Sequence, residues 1–357
     1  MKVLFSEDEA FYRSLGLKDE VGYEYEFNGL KLYNKNLEYF SQYDCFVCAF
    51  FSMPHNAILT DKFRRLKIKT VLCSDGIFEF SNAFENPMLK KYGIKLFHPI
   101  LQDCILIVGK KEVSYFSSFA NAVPYMPNRI ISKELVIPRP SNNKTLITTA
   151  NTAYFNDAER IALQTLLLDI ISKLDSLGYS YAFRIFDDEL WGFLVANFGC
   201  DIYNDVKYDF ETTLEDYSSV ITTPSSIVIT AMYHQRAVGI LVYRDYPLFL
   251  QSGWLFNGIN MTESSLKNFI SLSPERIDIQ NRILADYLTE NDLFSAIKQS
   301  VSLEGKNRSM ESSLVSRLYF NMLNSKFNFN IEYFARKVYL RVKYFSWIKK
   351  IRKSIRW

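Results

Sequence analysis

Histidine is nearly missing from this chain: 357 residues contain three, His55, His98 and His234. They lie far apart, and no His/Cys/Asp/Glu cluster has metal-ligand spacing, so no metal and no cofactor is expected. Cysteine is also sparse. The five present (Cys45, Cys48, Cys73, Cys104 and Cys200) are an odd number in apolar segments, which reads as reduced, buried thiols. Cys45-Phe46-Val47-Cys48 has C-x-x-C spacing, but residues three apart on a strand face opposite sides of a sheet, which argues against a redox or metal pair. Neither G-x-G-x-x-G nor G-x-x-x-x-G-K-[ST] occurs, so dinucleotide oxidoreductases and P-loop enzymes lose support. No run of about 18 apolar residues exists to span a membrane. The short apolar start, Met1 to Phe5, meets the acidic Glu7-Asp8-Glu9 at once, unlike a secretory signal. The expected location is the cytoplasm.

What is present is a core-forming composition, with 48% hydrophobic residues, 29 Phe and 23 Tyr. At roughly 100–200 residues per domain, the length predicts two domains. Charge is unevenly placed. Residues 333–357 hold nine Lys/Arg and no acid, whereas the other 332 residues hold 33 basic and 39 acidic groups. In this tail Tyr344, Trp347, Ile348, Ile351 and Ile355 recur at helical spacing between the cations. That pattern fits an interfacial amphipathic helix on anionic lipid, at about 1 kcal/mol per basic residue. A helix packed on the body or a nucleic-acid contact are the other readings; no nucleic acid is expected, because phosphate binding needs the charge without the Trp and Ile.

Apolar runs alternate between strand and helix character. Val3–Phe5, Tyr43–Phe51, Thr70–Cys73 and Cys104–Val108 read as strands, and Thr60–Leu66 and Lys111–Phe119 as helices. The polar, proline-containing stretch 138–143 reads as a linker. The alternation then resumes, with strands at Lys144–Thr149, Tyr181–Phe186, Ser219–Thr222 and Val238–Tyr243 and helices at Asp157–Leu177 and Ser225–Gln235. The longer helix has an Asn156 or Asp157 cap, Ile161 among its apolar positions, and Gly178 at its end. Residues 262–325 read as interrupted helix. The expectation is therefore two Rossmann-like open α/β domains facing a central cleft, residues 1–137 and 144–325, followed by a basic amphipathic C-terminal helix at 326–357.

In such sheets ligands bind beyond the carboxyl ends of the strands. Four motifs lie there. At Thr222-Thr223-Pro224-Ser225-Ser226 a strand delivers hydroxyls to a helix start, which reads as a phosphate site or as a plain Ser N-cap. At Ser74-Asp75-Gly76 a strand delivers an acid to a glycine turn. Asp75 reads as a general base or a turn former, and Glu79 as a second carboxylate. Arg184, in the Phe183–Phe186 strand, is a donor contact or pairs with Asp187, Asp188 or Glu189. Thr149, Asn151 and Thr152 follow the first strand of the second half and suit close approach of a ligand. His55, after the Cys45–Phe51 run, faces a possible cleft, and His234 reads as structural.

This order of parts, over about residues 1–260, resembles the two-domain GT-B glycosyltransferases, and within them the bacterial sialyltransferase and polysialyltransferase-like enzymes of surface-polysaccharide assembly. Ser74-Asp75-Gly76 is similar to that family's acid-glycine motif, and Ser225-Ser226 to its paired serines. The resemblance implies Asp75 as general base and Ser225 and Ser226 on the donor phosphate. It places Thr149, Asn151, Thr152 and Arg184 on the donor side, and Gly76, Glu79 and His55 on the acceptor side. The family's His-Pro motif occurs here only as His98-Pro99, in the first half. Thr230-Ala231 stands where retaining relatives carry Glu-Ala, which implies an inverting enzyme. The implied partners are a nucleotide-sugar donor, possibly a CMP-sialic-acid-like one, and a glycan or lipid-linked glycan acceptor of a capsule, lipopolysaccharide or other surface glycan. An anionic membrane at the inner face of the cell would be reached through residues 333–357. A polyol-phosphate transferase of teichoic-acid type and a non-catalytic membrane scaffold are the alternatives.

Overall fold

The computed structural model describes residues 1–304, apart from 51–52, 91–92, 133–134 and 200–201, together with Val338. The expected C-terminal helix and Cys200 lie outside the described residues. Strands β1 (Lys2–Phe5), β2 (Glu24–Glu26), β3 (Cys45–Cys48), β4 (Lys69–Cys73), β5 (Cys104–Val108) and β6 (Asn121–Tyr125) form one sheet in the order β2-β1-β3-β4-β5-β6. Strands β7 (Thr145–Thr148), β8 (Tyr181–Arg184), β9 (Ser219–Thr222), β10 (Ala237–Leu241) and β11 (Trp254–Phe256) form a second, ordered β11-β10-β9-β7-β8. Every pairing is parallel. The chain thus has two parallel-sheet α/β domains, as the alternation predicts. The strand order reverses between β1 and β3 and between β7 and β9, so each sheet opens a crevice at its carboxyl edge there.

Continuous apolar strands have both faces covered, as parallel sheets require. β3, β5 and β10 are wholly buried. Cys48 packs on one face of the first sheet and Cys45 on the other, which rules out a pair between them. Cys45, Cys48, Cys73 and Cys104 are buried, and burial pushes the thiols of the first three up.

The helix Asp157–Ser176 matches its sequence signals. The Asn156 side chain accepts from the Glu159 N–H at 2.9 Å, and Gly178 adopts φ +69°, the left-handed region glycine favours. Its buried face runs through Leu163, Leu166, Leu167, Ile170, Ile171 and Leu174. Ile161, expected on that face, is 56% exposed, while Glu159 is buried in its place.

Some elements differ from expectation. β3 is shorter than the Tyr43–Phe51 run, and the 111–119 helix shrinks to Val113–Phe116. β6 contains Pro124, which argues against a strand by itself; it survives because β6 is an edge strand. The stretch beyond 262 forms three helices, Glu263–Ile270, Pro274–Tyr287 and Leu293–Ser302. The last shares its Leu293, Ala296 and Ile297 with the cluster on the first sheet, where it lies against β4, β5 and β6. The helix Leu293–Ser302 thus covers the first sheet, although it follows the second sheet in the chain.

Candidate functional site

The carboxyl edge of β4 gives the first half of the site. Beyond Cys73, the Ser74 Oγ–H donates to the Gly76 carbonyl at 2.6 Å, and the buried Tyr125 hydroxyl donates to the Ser74 carbonyl. These bonds hold the turn so that Asp75 leaves the sheet with a side chain 43% exposed. Its Oδ2 lies 3.0 Å from the Arg129 guanidinium, which also donates to the Asp75 carbonyl.

The carboxyl edge of β9 gives the second half. The Thr223 Oγ1 accepts from the Ala150 N–H at 2.8 Å, tying the loop after β9 to the loop after β7 across the reversal point. The helix that follows is Ile227–Tyr233, shorter than the expected Ser225–Gln235, so Ser225 and Ser226 occupy the turn before it. The Ser226 Oγ accepts the Ile77 N–H at 3.2 Å, a contact between the two domains. Gly76 lies against the same contact: a Cβ there would stand 3.3 Å from the Ser226 Oγ and 3.8 Å from the Arg129 guanidinium. The two motifs singled out in sequence, 149 residues apart, thus meet across the cleft.

Thr149, just past β7, is 3% exposed and its Oγ1 has no hydrogen-bond partner among the described residues. A buried hydroxyl in that state is costly, of order 1–3 kcal/mol, unless something satisfies it. Asn151 and Thr152 are exposed on the same loop.

Two acceptor-side expectations are corrected. Glu79 is not an open carboxylate. Its Oε2 pairs with Arg244 of the second domain at 3.0 Å, and the Arg244 Nε lies 3.3 Å from Glu159, with side chains 13%, 2% and 7% exposed. Burial pushes Glu79 up despite Arg244. Burial also pulls the guanidinium down, but Tyr243, Glu79 and Glu159 raise it overall. The two tendencies conflict, and the close contact among nearly buried partners identifies a charged cluster. Ser81 donates to Glu159 at 2.5 Å, Tyr246 to Glu85 at 2.8 Å, and Phe249 stacks on Phe80 at 5.2 Å, so the segment after β10 straps the second domain to the first. His55 is 1% exposed, with its ring edge-on to Tyr33 at 4.7 Å in the first-domain interior, not facing a cleft.

Arg184 forms none of the three acid pairs considered for it. It donates to the Tyr208 carbonyl at 2.9 Å and lies over the Phe186 ring at 4.7 Å, while Asp187 caps the following helix. His234 is structural: its Nδ1 accepts the Ile137 N–H at 3.1 Å, and Nε2 reaches Glu211 at 3.1 Å. His98 bonds Tyr115 and the Leu96 carbonyl inside an aromatic cluster.

Sequence reasoning missed Arg129, Arg244, Glu159 and Glu112. Arg244 carried a signal, a cation just past the apolar strand β10. Glu112 is 1% exposed, accepts the Phe78 N–H at 3.3 Å, and is pushed up to about 8 by burial. Above the ordinary carboxyl value of 4.5 the unfolded chain releases a proton that the fold keeps. Folding should therefore lose stability as pH rises from about 4.5 to about 8, by on the order of 5 kcal/mol. Glu112→Gln should remove that slope and raise the melting temperature at pH 8 while leaving pH 4.5 nearly unchanged. Parallel melting curves for variant and wild type would contradict it.

Among the described residues no group of three or more His, Cys, Asp or Glu side chains is placed to hold a metal ion, and no helix is long and apolar enough to cross a membrane.

No protein-family model matches the sequence, and no curated protein matches it. Among solved structures the chain is similar to a spinosyn forosaminyltransferase, at 12% identity over 85% of this chain and 100% of that one, with a TM-score of 0.47. It is similar to a UDP-GlcNAc 2-epimerase of Methanocaldococcus jannaschii at 12% identity, over 77% and 94% of the two chains, with a TM-score of 0.49. It is also similar to a wall teichoic acid polymerase at 10% identity over 90% of each, with a TM-score of 0.46. At these values the likenesses carry no argument about activity.

Proposed function

We propose that the chain is an inverting glycosyltransferase of GT-B type that moves a sugar from a nucleotide-sugar donor to a surface glycan, free or lipid-linked. The observation that carries this reading is the approach of the Asp75-Gly76 turn to Ser225-Ser226 across the cleft. An exposed carboxylate then stands next in sequence to a glycine that abuts Ser226 of the other domain, at the edges where open parallel sheets take ligands. Asp75 takes the proton of the acceptor hydroxyl. Its oxygen attacks the anomeric carbon from the side opposite the nucleotide, and the nucleotide leaves with the bonding electrons on its phosphate. Ser225 and Ser226 hold that phosphate, and the buried Thr149 hydroxyl gains a partner when the donor is bound. Asn151, Thr152 and Arg184 frame the donor, and Gly76 lets the acceptor approach. No metal or cofactor takes part. The basic segment 333–357 holds the enzyme on an anionic membrane at the cytoplasmic face, near a lipid-linked acceptor, the role its charge and its Trp and Ile residues support.

The test is a panel of CMP-, UDP- and GDP-sugars offered with surface-glycan acceptors, with and without anionic vesicles, to the full chain and to a chain lacking 333–357. A glycoside of inverted configuration is expected, formed faster on vesicles by the full chain alone. A phosphodiester product would point to a polyol-phosphate transferase, and no product with any donor to a scaffold.

A further inference from the structure

Arg129 lies beside the contact that Gly76 and Ile77 make with Ser226, and sequence reasoning gave it no role. It follows β6, where the chain passes from one domain to the other, and each flank is tied to a different domain. The Asn128 N–H donates to the Leu15 carbonyl at 3.3 Å in the first, and the Ile130 carbonyl accepts from the Thr230 hydroxyl at 2.6 Å in the second. Its guanidinium is therefore delivered to the cleft at a fixed place, beside Asp75 and close to Gly76 and Ser226.

The pair it makes with Asp75 is open to water, with side chains 40% and 43% exposed. Such pairs hold weakly, because water screens them and both side chains lose freedom. A phosphate offers more: greater negative charge and several oxygens that match the planar fork of a guanidinium. An anion seated at Ser225-Ser226 would thus draw Arg129 away from a monocarboxylate held by little. An Asp75 oxygen held by Arg129 is also occupied, and is not open to an acceptor hydroxyl.

We infer that Arg129 is a substrate-binding residue that exchanges partners: it holds Asp75 in the empty cleft, and moves to the phosphate of the bound nucleotide, leaving Asp75 to act as base. This inference rests on the reading of the cleft as a nucleotide-sugar site. In the reaction the acceptor proton passes to Asp75, the new C–O bond forms as the sugar–phosphate bond breaks, and Arg129 faces the charge that appears on the departing phosphate oxygen. Donor arrival and release of the Asp75 carboxylate become one event.

The test is calorimetric titration of the full-length protein with CMP, CDP, UDP and GDP, and with cytidine, uridine and guanosine as phosphate-free controls. For the nucleotide that binds, Arg129→Gln is expected to raise Kd by about 10-fold or more, the range of a charged hydrogen bond, and to leave the matching nucleoside unchanged. Arg129→Lys should lose less. Asp75→Asn should tighten the nucleotide severalfold, because the competing carboxylate is gone. A structural role for Arg129 would weaken nucleoside and nucleotide alike, and that result overturns the inference, as does an Arg129→Gln protein with wild-type nucleotide affinity or an Asp75→Asn protein with weakened affinity. If the wild type binds no nucleotide, the functional reading itself falls and the inference with it.

Discussion

Asp75→Asn should cut glycosyl transfer by about 10²- to 10⁴-fold, the usual worth of a positioned general base, while nucleotide binding survives. Asparagine keeps the size of the side chain and an oxygen for Arg129, so the turn held by Ser74 and Tyr125 should persist. What it loses is the capacity to take a proton. The discriminating comparison is single-turnover rate against nucleotide Kd. A variant within tenfold of the wild-type rate would remove Asp75 from the chemistry and leave it a turn-forming residue, the other reading its sequence allows.

Arg244→Met should destabilise the protein by about 3–5 kcal/mol, measured by urea unfolding at pH 8, because it strands Glu79 and Glu159 in a buried site without their cation. The deficit should shrink toward acid pH. Without Arg244 the folded-state Glu79, already raised by burial, rises further, so the fold keeps a proton the unfolded chain releases only above its ordinary value. Adding Glu79→Gln and Glu159→Gln to Arg244→Met should recover most of the loss, since the uncompensated charges disappear with the cation. A loss below 1 kcal/mol in the single variant would mean that the strap after β10 does not hold the domains together.

Much of the architecture was legible in sequence because parallel strands buried on both faces leave uninterrupted apolar runs. β5 and β9 have the bounds that Cys104–Val108 and Ser219–Thr222 suggest, and the Asp157 helix shows both of its end signals. Legibility failed where the deciding partner is remote. β6 escapes the sequence reading, and its Pro124 is tolerated because the strand lies at the sheet edge. The helix Leu293–Ser302 has an amphipathic pattern, but no local feature says that its apolar face covers the first sheet and not the second. Glu79 looks like a free carboxylate until Arg244 arrives from 165 residues away. His55 looks like a cleft residue until the helix Pro54–Arg65 turns it inward against Tyr33. At the candidate site, strand-end chemistry pointed to Asp75 and Ser225-Ser226. It could not point to Arg129, whose place depends on a chain crossing held by Leu15 on one side and Thr230 on the other.

The central claim is that the cleft between Asp75 and Ser225-Ser226 takes a nucleotide. A thermal-shift titration of wild type and Ser225→Ala/Ser226→Ala with CMP, CDP, UDP and GDP tests it most directly. Saturation at 100 times Kd stabilises a protein by about 2.7 kcal/mol, a readily seen shift. The account predicts a shift with one nucleotide family in the wild type and its loss in the double variant. No shift with any nucleotide, or an undiminished shift in the double variant, would contradict it.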